Sequence, residues 1–121
     1  RYLEGHPALA GRLMFVSVPA TNPAAAWMKR NDPVANFDEI QELVRNGFLV
    51  RTRADADTAE ARTNDPRKRD RALASGAQFV STDYPAPDLR FSSYSVRLPY
   101  GVTARANPVN GPANARSREL E

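Results

Sequence analysis

Two short polar clusters hold most of the residue types in this chain that can do chemistry. The first is Arg51, Arg53, Asp55 and Asp57, spaced two apart. The second is the unbroken run Ser81-Thr82-Asp83-Tyr84. Alternate residues of an extended strand point to one side, so Arg51 and Arg53 share a face, and Asp55 follows if the chain stays extended. Guanidinium groups bind phosphate or carboxylate oxygens two at a time. Inside a fold they are costly unless paired with Asp or with an anionic ligand. Two readings stand side by side: the arginines clamp an anion, or they form an internal network with Asp55 and Asp83. Asp83 can accept from a substrate hydroxyl, orient a histidine or hold a metal, or it can simply cap the next turn. Asp57 suits the capping of a short helix near Thr58, which leaves Asp55 as the better site carboxylate.

His6 is the only histidine. Acid–base cleavage of a phosphodiester uses two proton-transfer groups, and His6 lies far from both clusters in sequence, so it is not read as a catalytic base. No glycine-rich phosphate loop and no nucleophile elbow occurs.

The elements that must position these residues follow a strand, loop, helix, strand order. Leu13 to Val18 is a continuous apolar run between Gly11 and Pro19, the pattern of a strand buried on both faces. Asn36 can cap a helix in which Glu39 completes a capping box, and Phe37, Ile40, Leu43 and Val44 share one face. Gly47 closes that helix, and a strand over 48–53 follows. Asp65 and Pro66 open a second helix over 66–75, whose exposed charges read as a solvated surface, and Gly76 ends it. A third strand covers 78–82. Trp27 fills core or covers a mouth, and core packing is the better fit. Strand starts near 13, 48 and 78 with intervening helices have the rhythm of right-handed βα units in a parallel sheet. Strand C-termini in such a sheet lie on one edge, where ligand sites form, so the two clusters should share a mouth. After Ala86 the chain is irregular, with one alternating segment at Tyr94, Val96 and Leu98 that reads as a short half-buried β segment. The last residues read as a frayed end.

Length and composition bound the rest. The chain has 121 residues, enough for one domain or part of a larger one. It enters at Arg1 rather than Met, which reads as a cut within a longer protein. There is no cysteine, hence no disulfide and no thiolate metal site. No apolar run reaches the ~18 residues of a membrane span. The net charge of +3 is dispersed, since basic and acidic residues alternate from 51 to 71 with little aromatic interleaving, so nucleic acid is not an expected partner. Lysine occurs only at 29 and 68, and the preponderance of arginine fits recognition of phosphate or carboxylate.

The blocks Gly11-Arg-Leu-Met-Phe-Val, Asn31-Asp32-Pro33, Val50-Arg-Thr-Arg-Ala-Asp-Ala-Asp-Thr and Ala74-Ser-Gly-Ala-Gln-Phe-Val-Ser-Thr-Asp-Tyr-Pro85 resemble the C-terminal part of bacterial calcium-dependent phosphoinositide phospholipase C-like proteins. These are related to the glycerophosphodiester phosphodiesterases. The resemblance spans most of residues 2 to 112. It implies the C-terminal portion of a (β/α)8 TIM-type barrel, with residues 1–85 as its last βα units, parallel strands near 13–18, 48–53 and 78–82, and residues 86–121 as a tail packed on the barrel. It implies a phosphoric diester hydrolase or lyase that works only as a complete barrel, is secreted or periplasmic, and uses calcium whose ligands lie mostly outside this chain. The residues it carries over as substrate or anion contacts are Arg51, Arg53, Asp55, Asp83 and Tyr84. The implied partners are a phosphodiester or inositol-phosphate substrate and the rest of the barrel, with at most peripheral membrane contact. The alternative is a non-enzymatic half barrel that binds or assembles with a second copy. In either case Phe15, Val50 and Phe79 should be left exposed when the chain is alone.

Overall fold

A computed structural model describes residues 2–12 and 14–112. The element order is β1 (Trp27–Lys29), α1 (Phe37–Arg45), β2 (Leu49–Arg53), α2 (Ala59–Thr63), α3 (Arg67–Ala74) and β3 (Phe79–Ser81). The three strands form one parallel sheet in the order β1-β2-β3. Trp27, Met28 and Lys29 lie beside Leu49, Val50 and Arg51, while Arg51, Thr52 and Arg53 lie beside Phe79, Val80 and Ser81. The α/β class, the parallel pairing and both helices agree with the sequence reading.

The first strand is not where the apolar run suggested. Residues 14–18 form no strand, and Leu13 lies outside the described residues. Strand β1 is Trp27-Met28-Lys29 instead. An unbroken apolar run signals a strand only when neighbours bury both its faces. Here Met14 and Phe15 stay 66% and 58% exposed, and Phe15 stacks on Trp27 with ring centroids 6.1 Å apart. Trp27 is thus a half-buried strand residue on the sheet surface, with Phe79 5.0 Å from its ring on the other side.

Helix α1 buries Ile40, Leu43 and Val44 against Met28 and Val50. Fully burying each aliphatic side chain contributes about 1.5–3 kcal/mol. Its start differs from the expected capping box. The Asn36 side chain makes no cap hydrogen bond. The Asp32 carboxylate accepts from the Val34 and Ala35 N–H groups instead, and Glu39 pairs with Arg30 at 2.7 Å. The helix ends as expected at Gly47, φ +85°. There the Gly47 and Phe48 N–H groups donate to the Val44 and Leu43 carbonyls, closing orphan acceptors of the last turn. Helix α3 begins where Asp65 accepts from the Arg67 N–H at 3.0 Å. It packs beside α1, with the Arg71 guanidinium 3.6 Å from the centre of the Phe37 ring.

Both α1 and α3 contact β2, and the buried strand residues Met28, Val50 and Thr52 face that side. Val50 is therefore not an exposed residue: it is fully buried under the helices. On the opposite face, carrying Trp27, Leu49, Arg51, Arg53, Phe79 and Ser81, no helix lies among the described residues, and Phe79 is 49% exposed there.

From Ala86 to Pro112 the described chain contains no strand, only a helical turn at Pro99–Gly101. Tyr94 is buried, but the expected β segment around it does not form. Its order comes from an aromatic cluster, with Tyr94 and Phe91 edge-on to Tyr84 and Ala61 beneath. Further on, side chains close the helix ends: Asn107 donates to the Gly76 carbonyl at 2.7 Å, Asn110 to that of Val44 at 3.1 Å, and Arg105 to that of Leu73. The tail thereby pins the C-terminal ends of α1 and α3, and the Val44 carbonyl takes Asn110 as a second donor beside the Gly47 N–H.

Candidate functional site

The C-terminal ends of the strands bring three of the five candidate residues together. Arg51 and Arg53 leave the open face of β2. Asp83 follows β3 and meets Arg53 with Nη2 3.4 Å from Oδ2. Arg51 sits between two neutral acceptors: Nη1 donates to Asn31 Oδ1 at 2.6 Å and Nη2 to Ser81 Oγ at 2.7 Å. The Ser81 hydroxyl has its own acceptor in the Thr52 carbonyl, 3.3 Å away. Lys29, the register neighbour of Arg51, is exposed on the same row. The arrangement is a half-exposed cationic strip across three strand tips, with one carboxylate at its edge. Such a strip can hold an anion by charge and a hydroxyl by the Arg53–Asp83 pair.

The other two candidates do not reach this strip. Asp55 is fully buried. Its carboxylate accepts from the Thr82 hydroxyl at 2.5 Å, the Asp83 N–H at 2.8 Å and the Tyr94 hydroxyl at 3.4 Å. A carboxylate with three donors and no exposure joins β2 to β3 and supports the loop that carries Asp83. Tyr84 is buried as well, and its hydroxyl donates to the Asp57 carbonyl at 2.9 Å. Burial, then the nearby Asp88, Asp55 and Asp83 carboxylates, raises its pKa, so it remains a neutral donor. Of the internal Arg–Asp network weighed for Asp55 and Asp83, the Asp83 half forms, as Arg53 pairs with Asp83; among the described residues Asp55 pairs with no arginine. Among the described residues the Asp57 side chain caps no helix. Asp57 takes a left-handed conformation, φ +53°, while the Glu60 carboxylate accepts from the Ala56 N–H at 2.9 Å.

Asn31 and Ser81 are the site residues that sequence reasoning passed over. Ser81 lay in a flagged cluster, and its face follows once Arg53 and Ser81 are known to be in register. Asn31 becomes visible only when β1 is placed at 27–29, since it then falls at a strand tip. His6 lies in the N-terminal turns, with Nδ1 2.8 Å from the Ala10 carbonyl. A cavity of about 610 Å³ lies elsewhere, between the outer edge of β3 and the tail, lined by Leu73, Val80, Val96, Leu98 and Arg105 among others. Neither Arg51 nor Arg53 lines it.

Among the described residues no group of three or more His, Cys, Asp or Glu side chains is placed to hold a metal ion. Asp55 is committed to its three donors and Asp83 to Arg53, so the donor set at the mouth does not fit a calcium ion.

A family model described as phosphoinositide phospholipase C, Ca2+-dependent, matches residues 1–108. No curated protein and no solved structure matches the chain closely enough to be set beside it.

Proposed function

Because the chain belongs to the Ca2+-dependent phosphoinositide phospholipase C family, we propose that it is the C-terminal part of a (β/α)8 phosphodiesterase barrel and forms one side of its substrate mouth. The observation that carries this reading is the common placement of Arg51, Arg53 and Asp83 at the C-terminal strand ends, on the sheet face that no helix covers. In a closed barrel that face is the interior and those ends are the catalytic rim. The open edges of β1 and β3 suit continuation of the sheet, and the cavity beside β3 suits a further βα unit packed under the tail.

In this role Arg51 binds the non-bridging oxygens of the phosphodiester, and its charge opposes the negative charge that grows in the transition state. Arg53 donates to, and Asp83 accepts from, hydroxyls of an inositol or glycerol head group. Asp55, Thr82 and Tyr94 hold the two strand tips at a constant separation. The calcium ion and the proton-transfer groups come from the rest of the barrel. The chain alone is inactive, and the complete protein is secreted or periplasmic, with at most peripheral membrane contact. No helix among the described residues is long and apolar enough to cross a membrane.

The cluster of exposed Phe15 and Phe79 against the half-buried Trp27 favours a second reading, in which a second copy covers the open face and the chain serves as a binding or assembly module. A phosphodiester cleavage assay separates the two. The first reading predicts calcium-dependent turnover when the chain is part of a complete barrel, and none from the chain alone. A complete barrel that binds inositol phosphates but cleaves nothing under any calcium concentration would overturn it.

A further inference from the structure

We infer that Asn31 and Ser81 are positioning residues that hold the Arg51 guanidinium across the three strand tips while leaving its charge uncompensated for an anionic ligand. The inference rests on the mouth proposed above and concerns how that mouth is tuned.

The two arginines on the open face of β2 are treated differently. Arg53 meets a carboxylate, Asp83, at 3.4 Å. Arg51 meets two uncharged oxygens at 2.6 and 2.7 Å, one from the loop after β1 and one from β3. Among the described residues it has no ion-pair partner. Ser81 is directed as well, because its hydroxyl proton is engaged by the Thr52 carbonyl and a lone pair is left for Arg51. Arg30, next to Asn31, is already neutralised by Glu39 and adds no free charge to the cradle.

Each terminal nitrogen of Arg51 therefore spends one N–H on a neutral anchor from a different strand tip. The side chain loses rotamer freedom before any ligand arrives, which lowers the entropic cost of binding. A carboxylate in either anchoring position would orient the guanidinium equally well and cancel its charge. The chemistry of the two acceptors, neutral amide and neutral hydroxyl, is what separates a binding cation from a structural ion pair. The ligand group this cradle takes is a phosphate monoanion or dianion, bound by the remaining N–H groups and by the charge.

The test uses the full chain and inorganic phosphate, followed through the Arg51 Nε–H resonance and through thermal unfolding. The wild-type chain should bind phosphate at Arg51, and Arg51→Gln should abolish that binding. Asn31→Asp keeps an oxygen where Oδ1 stands and adds a charge, so phosphate affinity should fall about tenfold or more from the new opposing charge at contact distance, with the melting temperature unchanged or raised. Asn31→Ala should weaken binding less than Asn31→Asp, since it frees the guanidinium without neutralising it. If Asn31→Asp does not fold, Ser81→Asp places a carboxylate against the other nitrogen and should give the same loss. Wild-type affinity in a folded Asn31→Asp or Ser81→Asp chain would overturn the cradle while leaving the mouth intact. Absence of phosphate binding at Arg51 in the wild type would overturn both.

Discussion

The Thr82 hydroxyl donates to the Asp55 carboxylate at 2.5 Å, joining the end of β2 to the end of β3 across 27 positions of sequence. The Asp83 N–H reaches the same carboxylate at 2.8 Å. The loop that carries the Asp83 side chain toward Arg53 is thus held by a fully buried carboxylate.

Removing that carboxylate leaves the Thr82 hydroxyl and the Asp83 N–H without this acceptor, while the Tyr94 hydroxyl keeps the Ala54 carbonyl at 3.2 Å. Asp55→Ala should therefore destabilise the chain by about 2–4 kcal/mol. Asp55→Asn should cost less, because it keeps one acceptor oxygen. Urea unfolding measures both; a loss within ~0.5 kcal/mol for Asp55→Ala, the range of ordinary surface changes, would contradict the tie.

Gly76 lies at φ +82°, and a Cβ there would stand 2.3 Å from Val109 Cγ2. Gly76→Ala should cost about 2 kcal/mol or more through backbone strain and the clash together. Combining it with Val109→Ala should restore part of the loss, since the 2.3 Å contact with Cγ2 disappears while the contact with the residue-109 Cβ at 2.9 Å and the strain remain. Strict additivity in a double-mutant cycle would show that the tail does not pack on α3 there.

Much of this was legible from residue order, and the remainder was hidden for identifiable reasons. Helices α1 and α3 announce themselves through Ile40, Leu43 and Val44 on one face and through Gly47 and Gly76 at the ends. Strand β2 was legible because Val50 and Thr52 alternate with two arginines. Strand β1 was not: three residues are too few to show a period, and the longer apolar run at 13–18 outweighed them. That displacement also hid Asn31. Asp55 was read as a site residue because spacing reveals side-chain parity only while the chain stays extended, and the chain turns after Arg53. Tyr94 stands in an alternating pattern, yet its burial comes from stacking on Tyr84 rather than from a strand.

Tyr94 also sets a pH limit. Burial, and then the Asp55 and Glu60 carboxylates, raise its pKa well above the ordinary 10.0. A group whose folded pKa is raised contributes stability that is fully present below its unfolded value and is lost as pH rises toward the folded one. Stability should hold to about pH 10 and then fall steeply, because only the unfolded chain ionises there. Unfolding midpoints of wild type and Tyr94→Phe between about pH 9 and 11, roughly one unit either side of the ordinary value, make the check. The variant should show a shallower alkaline decline, and identical slopes would remove Tyr94 as the cause.

Exposed Met14, Phe15 and Phe79, and outer edges of β1 and β3 that pair with no strand among the described residues, lead us to expect association of the chain alone. Sedimentation at increasing concentration should show dimers or larger species. A Phe15→Ser, Phe79→Ser variant should shift the distribution toward monomer. A wild-type monomer at every concentration would mean that the open face needs no cover.

The most direct test of the mouth is Arg53→Ala in a complete barrel, with turnover of a phosphodiester and thermal unfolding measured on the same preparation. Loss of a charge-assisted hydrogen bond to a head-group hydroxyl costs about 1.5–3 kcal/mol, or roughly one to two orders of magnitude in kcat/KM. Arg53 and Asp83 form a partly exposed pair, so stability should change by no more than about 1 kcal/mol. A collapse in turnover with a nearly unchanged melting temperature is the predicted result. If the variant unfolds while activity per folded molecule survives, Arg53 is a structural partner of Asp83 and the proposed substrate contact is wrong.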